Sequence, residues 1–211
     1  MKINSPAGYW LLSVVFICIS VSGCNKSSTT LIQEINNENP SVRAQAIKEL
    51  GKRKERDAVK LLIRVLESDP SSNVRESAAE ALGQIGDPIG VESLTNSMHD
   101  ADISVRRASI VALGEIGDPR ATMKLIPSLE DELFHIRIDT IRALGKLENP
   151  IPVPYLITAM NDRDEFIRFC AAEALGKIMD PRSVDPLIEK LNGPDQDLRW
   201  EAHSILCQLT G

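Results

Sequence analysis

The sequence predicts an all-α chain built as an α-solenoid of about six stacked helix pairs, and three observations predict it. A fifteen-residue phrase recurs: VRESAAEALGQIGDP from Val74, VRRASIVALGEIGDP from Val105, IRIDTIRALGKLENP from Ile136 and IRFCAAEALGKIMDP from Ile167. VRAQAIKELGKRKER from Val42 is an earlier copy, and LRWEAHSILCQLTG from Leu198 a decayed last one. Two columns stay in register throughout: the arginines Arg43, Arg75, Arg106, Arg137, Arg168 and Arg199, spaced 32, 31, 31, 31 and 31 residues, and the glycines Gly51, Gly83, Gly114, Gly145 and Gly176, followed by Cys207. Within a copy the apolar residues fall at Val74, Ala78, Ala81, Leu82 and Ile85, which is helical rather than strand spacing. A fixed period in this range marks stacked units whose core is a seam between neighbours rather than a central ball.

Each period divides into two helices. The helix carrying the phrase ends near Gly86, which tolerates a left-handed cap, and Asp87 with Pro88 opens the next helix as N-cap oxygen and first-turn proline. That next helix shows Val91, Leu94 and Met98 on one face, as Val59, Leu62 and Leu66 or Val184, Leu187 and Leu191 do in other periods. Pairs therefore start near 29, 57, 88, 119, 150 and 181, and residues 29–211 form one solenoid with no room for a second domain. Pro127, Pro154 and Pro186 lie inside first helices and are expected to bend them unevenly.

Ahead of the repeats, residues 1–23 read as a targeting segment: Lys2 gives a positive start, and residues 10–21 form an apolar run too short to span a bilayer comfortably. Val21-Ser22-Gly23-Cys24 resembles the bacterial lipobox. That resemblance implies cleavage before Cys24, acylation of Cys24 as a membrane anchor and residues 24–28 as a short tether. Because Asn25 follows the cysteine instead of aspartate, it also implies the periplasmic face of an outer membrane if the cell is Gram-negative. The alternatives are an ordinary signal peptide with a chance cysteine, or an uncleaved anchor.

The repeats resemble the HEAT family, and the ALGxIGDP wording is most similar to its phycobilisome-lyase-type HEAT-like subclass. The resemblance implies a ladder of turn aspartates and helix arginines: Asp69 with Arg75, Asp100 with Arg106, Asp131 with Arg137 and Asp162 with Arg168. Asn37 and Gly193 stand where the first and last repeats would need the aspartate. It further implies that the arginine-bearing helices line a concave binding face. On those helices, positions one and five after the arginine point away from the apolar columns. They read Ala44, Glu76, Arg107, Ile138, Phe169, Trp200 and Lys48, Glu80, Val111, Arg142, Glu173, Ser204. The face thus begins charged and ends apolar, and Arg107, Val111, Ile138, Arg142, Phe169 and Trp200 form the expected protein-binding patch. Phe134 and Phe166, nearer the turns, read as packing.

Charge argues against nucleic acid. Without the leader the chain keeps 23 basic and 30 acidic residues, a net charge of −7, whereas phosphate binding needs a basic surface. The one basic cluster is Lys48, Lys52, Arg53, Lys54, Arg56, Lys60 and Arg64, which reads as a solvated end or, next to the tether, as a contact for anionic lipid. Cys170 and Cys207 are offset by six residues on adjacent helices, too far for a disulfide, and so are expected as free thiols in a monomer. His99, His135 and His203 occupy different columns, no metal-type or nucleophile motif is present, and no cofactor is expected. His203 falls in a column otherwise held by Ile47, Ala79, Ile110, Ile141 and Ala172, as expected of a polar end cap. The sequence thus points to a lipid-anchored scaffold that captures a protein or peptide. The alternatives are an enzyme or accessory subunit resembling phycobilin lyases or deoxyhypusine hydroxylases, and a passive envelope spacer.

Overall fold

The computed structural model describes residues 26–210, and among them every regular element is helical. The leader and Cys24 lie outside the described residues. Twelve α-helices form six antiparallel pairs: α1 (Ser28–Glu34) with α2 (Pro40–Lys52), α3 (Val59–Ser68) with α4 (Ser72–Ile85), α5 (Val91–Ser97) with α6 (Ile103–Ile116), α7 (Thr122–Leu125) with α8 (Phe134–Lys146), α9 (Val153–Ala159) with α10 (Glu165–Ile178), and α11 (Val184–Lys190) with α12 (Gln196–Thr210). Single 3₁₀ turns at Arg56–Ala58, Pro88–Gly90, Pro119–Ala121 and Pro181–Ser183 lead into α3, α5, α7 and α11. Asp87, Asp118 and Asp180 cap the last three of these turns by accepting the N–H two residues on, at 2.9–3.0 Å. Gly86 and Gly117 take the left-handed conformation at the ends of α4 and α6, and Met179 adopts it in the same place after α10.

The buried side chains form the expected seam. Ile47, Leu50, Leu62, Leu82, Leu94, Ile110, Leu113, Ile141 and Leu144 are fully enclosed, each between its own pair and a neighbour. The glycine column explains how closely the even-numbered helices approach. A Cβ added at Gly83 would stand 2.8 Å from Ala112 Cα, at Gly114 2.7 Å from Ala143 Cα, and at Gly145 3.0 Å from Ala174 Cα. Each glycine of one repeat therefore lies against the alanine two positions earlier in the next repeat's phrase, backbone against backbone. In α12 the column holds Cys207; Cys207 is exposed, and so is His203, whose equivalents in the five other repeats are buried.

The prolines act differently from the sequence expectation. Pro154 and Pro186 sit in the first turns of α9 and α11, where their missing N–H groups break no helical bond, so neither bends its helix. Pro127 does disturb its helix: α7 stops after four residues and continues as a 3₁₀ segment, Ile126–Glu130.

The arginine ladder joins the expected residue pairs, but through the main-chain carbonyl of each turn and not through the aspartate carboxylate. Each arginine donates from Nη1 to the main-chain carbonyl of its own turn: Arg43 to Asn37, Arg75 to Asp69, Arg106 to Asp100, Arg137 to Asp131, Arg168 to Asp162 and Arg199 to Gly193, at 2.7–3.0 Å. Any residue supplies a carbonyl, so Asn37 and Gly193 interrupt nothing. The turn carboxylate instead takes the arginine of the preceding repeat: Arg43 on Asp69 and Arg75 on Asp100 are both bidentate at 2.7–2.8 Å. In the last repeat Asp195 receives Arg168 at 2.7 Å. The rungs on either side of repeat four are weak. Arg106 bonds only carbonyls, and Arg137 Nε lies 3.7 Å from Asp162 with no hydrogen-bond partner although the residue is buried. The 3₁₀ segment at Pro127 rises more steeply than an α-turn and displaces the turn that carries Asp131; a hollow of about 800 Å³ opens between it and α9.

Two outcomes follow from this packing. Gly114→Ala is expected to lower stability by about 1–2 kcal/mol in denaturant unfolding, because overpacking against the Ala143 backbone exceeds the helix-propensity gain; Gly176→Ala, facing the mobile end of Ile205, costs less. Asp100→Ala is expected to cost about 2 kcal/mol, since Arg75 and the Asp102 N–H lose their acceptor, against about 1 kcal/mol or less for Asp131→Ala. The Arg75 bonds hold the Asp100 carboxyl below its ordinary range. Its contribution is therefore complete above the unfolded carboxylate value and fades as pH falls through the lower folded one. Melting temperatures of the wild type and Asp100→Ala converge on acidification below about pH 4.

Candidate functional site

The six residues expected to form one apolar patch are placed in three different settings. Ile138 is only 5% exposed: it joins the buried apolar group against which Phe134 and Phe169 pack, so it is core and not surface. A β-branched side chain one residue after the arginine folds into the close α8–α10 contact, while the larger ring of Phe169 reaches half out. Arg107 and Val111 line a separate hollow of about 440 Å³ with Glu76, Glu80 and Asp139. There Arg107 Nε donates to the buried Asp139 carboxylate at 2.7 Å, and the Glu76 carboxyl is pushed up by burial and by Glu80.

The other setting is a notch between the N-terminal ends of α10 and α12. Phe166, Phe169 and Trp200 form its apolar floor and wall, Glu165, Asp195 and Asp197 its rim, around a volume of about 400 Å³. Trp200 is 71% exposed, the most open large apolar side chain in the described chain, and Phe166 is 43% exposed. Phe166 thus belongs to the surface and not to the packing that the sequence suggested, although one edge does pack: its ring centroid lies 6.4 Å from that of Phe134. Arg142 is exposed and spreads over the outer face of Phe166, with Cζ 5.6 Å from the ring centroid. Asp164 starts α10 by accepting the Phe166 and Ile167 N–H groups, and Asp195 starts α12 by accepting from Leu198, so both helix ends are fixed around the notch. The bond from Arg168 to Asp195 ties the two ends together.

Sequence reasoning found Phe169 and Trp200 through one column and missed Phe166, Glu165 and Asp197, which occupy the positions two and three before the arginine. The signal was available: the position two before the arginine reads Ser41, Asn73, Ser104, His135, Phe166, Asp197, polar until its aromatic step in repeat five.

Candidates for chemistry are sparse. Cys170 is buried, which pushes its thiol up, and Cys207 is exposed with Sγ 3.9 Å from His203 Nδ1. Neither cysteine is in a disulfide. Among the described residues no group of three or more His, Cys, Asp or Glu is arranged to hold a metal ion, and no helix is long and apolar enough to cross a membrane. The basic cluster is largely open: Lys52, Lys54, Arg56, Lys60 and Arg64 are exposed, Lys48 lies 3.6 Å from Glu80, and Arg53 bonds Glu49 at 2.8 Å.

A periodic stack of helix pairs with these columns matches the family model of HEAT repeats over residues 28–102, 91–153 and 124–206. The chain is a HEAT-repeat protein. Among solved structures, the fold of this HEAT solenoid is similar to the complex of CpcE and CpcF of phycocyanin lyase from Nostoc, at 24% identity and TM-score 0.68, covering 91% of this chain and 80% of that one. It is similar to an engineered protein at 19% identity and TM-score 0.68, covering 88% and 97%. Computationally designed armadillo repeat proteins for modular peptide recognition align at 14% identity and TM-score 0.58, covering 85% and 98%. At these identities the likeness concerns the fold alone. A search of curated proteins returned no match.

Proposed function

We propose that this HEAT solenoid is a non-enzymatic binding scaffold, tethered to the cell envelope through a lipid on Cys24, that captures a protein or peptide segment at the aromatic notch of its last two repeats. The observation that carries the reading is Trp200, 71% exposed beside two phenylalanines. A monomer gains nothing in stability from a tryptophan held in water, whereas exposed aromatic clusters are the usual anchors of interfaces. The rigid stack supports this use, because a preformed surface loses little conformational freedom when a segment docks. The similarity in fold to armadillo proteins designed for peptide recognition agrees with it. The anchor part of the reading rests on the lipobox-like Val21–Cys24 stretch and the apolar leader ahead of it, which favour an outer-membrane location in a Gram-negative cell.

Selection of a random displayed-peptide library on the immobilised protein tests the surface. Wild type is expected to enrich a shared motif that a Phe169→Ala, Trp200→Ala variant of unchanged helicity and melting does not. Enrichment of the same sequences by both proteins places binding elsewhere, and enrichment by neither favours the spacer reading. Separately, Cys24→Ser is expected to move the protein from the membrane to the soluble fraction and abolish incorporation of labelled fatty acid; retention of both would overturn the anchor.

A further inference from the structure

Resting on the surface reading above, the charge balance around the notch says what kind of segment it takes. The chain's own cations at this end are already engaged. Arg168 is bound by Asp195 at 2.7 Å, Lys177 by Glu173 at 2.6 Å, Arg182 by Asp180 at 2.8 Å, and Arg199 by the Gly193 carbonyl at 2.7 Å. Arg163 lines the hollow beside α9 instead. Two rim carboxylates, Glu165 and Asp197, are exposed and, among the described residues, carry no ion pair, and Trp200 has no hydrogen bond, stacking ring or cation against it.

The repeat register makes the missing group explicit. Arg142, five residues after its ladder arginine, covers Phe166, two residues before the next one. One repeat further on, the same two positions hold Glu173 and Asp197, so the stack supplies a carboxylate where it previously supplied a guanidinium. Phe169 and Trp200 are left with aromatic faces and acidic neighbours but no cation of their own. Aromatic faces attract cations through their quadrupole, and a carboxylate at the edge adds charge-assisted hydrogen bonds to the same group.

We propose that the notch binds an arginine or lysine side chain of an extended basic segment in a partner protein, with the cation seated against Trp200 and Phe169 and hydrogen-bonded to Asp197 and Glu165. The fold already contains a small-scale version of this contact in Arg142 over Phe166.

The test uses the full-length protein and fluorescein-labelled decapeptides of alternating serine and arginine. The controls carry citrulline, glutamate or leucine in place of arginine, and binding is read by anisotropy at two salt concentrations. The arginine peptide is expected to bind at least about tenfold more tightly than the citrulline peptide, which keeps the shape and lacks the charge. Trp200→Ala and the pair Glu165→Gln with Asp197→Asn should each weaken it by roughly tenfold, the acidic pair also flattening its salt dependence. All these side chains are exposed, so melting should not change. Equal binding of arginine and citrulline peptides, lost in Trp200→Ala, would leave the surface reading standing and overturn the cationic occupant. Arginine-peptide binding indifferent to all three residues overturns the notch as its site. Saturable binding of tetramethylammonium at Trp200 without peptide binding assigns a small quaternary ammonium and also overturns the proposal. If no peptide of any class binds, the surface reading falls with it.

Discussion

The stack depends on one close approach: from α2 to α10 the backbone of one arginine-bearing helix touches the next at a glycine–alanine contact, and only at Gly176 does an isoleucine, Ile205, take the alanine's place. Positions where any Cβ would come within 3.0 Å of a neighbouring backbone leave no tolerance for larger residues, so Gly83, Gly114 and Gly145 with Ala112, Ala143 and Ala174 set the spacing of the repeats. Leucine and isoleucine columns on either side then fill a seam of constant width. In α12 the same column holds Cys207 and the adjoining apolar column holds His203, both exposed.

The ladder arginine adds direction to that spacing. Its Nη1 closes the turn of its own repeat through a carbonyl, and its other nitrogens reach forward to the carboxylate of the following turn. A single side chain therefore satisfies the backbone of one repeat and links it to the next. A second link lies at the exposed turns, where Arg120 and Arg182 each bridge their cap aspartate to the carbonyl of Pro88 and Pro150 in the preceding repeat. Pairing with Arg182 lowers the Asp180 carboxyl to about 2. Repeat four is the exception, because Pro127 converts most of its first helix to 3₁₀ geometry and shifts the turn out of reach of Arg106.

The proposed binding notch sits at the far end of this regular frame. In the middle repeats Arg107 pairs with Asp139, whereas the last two expose rings and leave Glu165 and Asp197 without an ion pair among the described residues. Phe166 and Trp200 stand outside the packing that buries Ile138.

Periodicity made the fold legible from the sequence: the arginine, glycine and apolar columns determine six helix pairs, their caps and a seam core, because each column answers a local or nearest-neighbour requirement repeated every 31 residues. The presence of aromatic residues at the C-terminal end was legible for the same reason. The tertiary structure decided which of them meet water. Whether Ile138 is core, Phe166 surface, or the Asp100 carboxylate the partner of Arg75 while its carbonyl serves Arg106 depends on the offset between successive repeats. That offset is a property of the stack, set by backbone contact and by one proline, and no single period contains it.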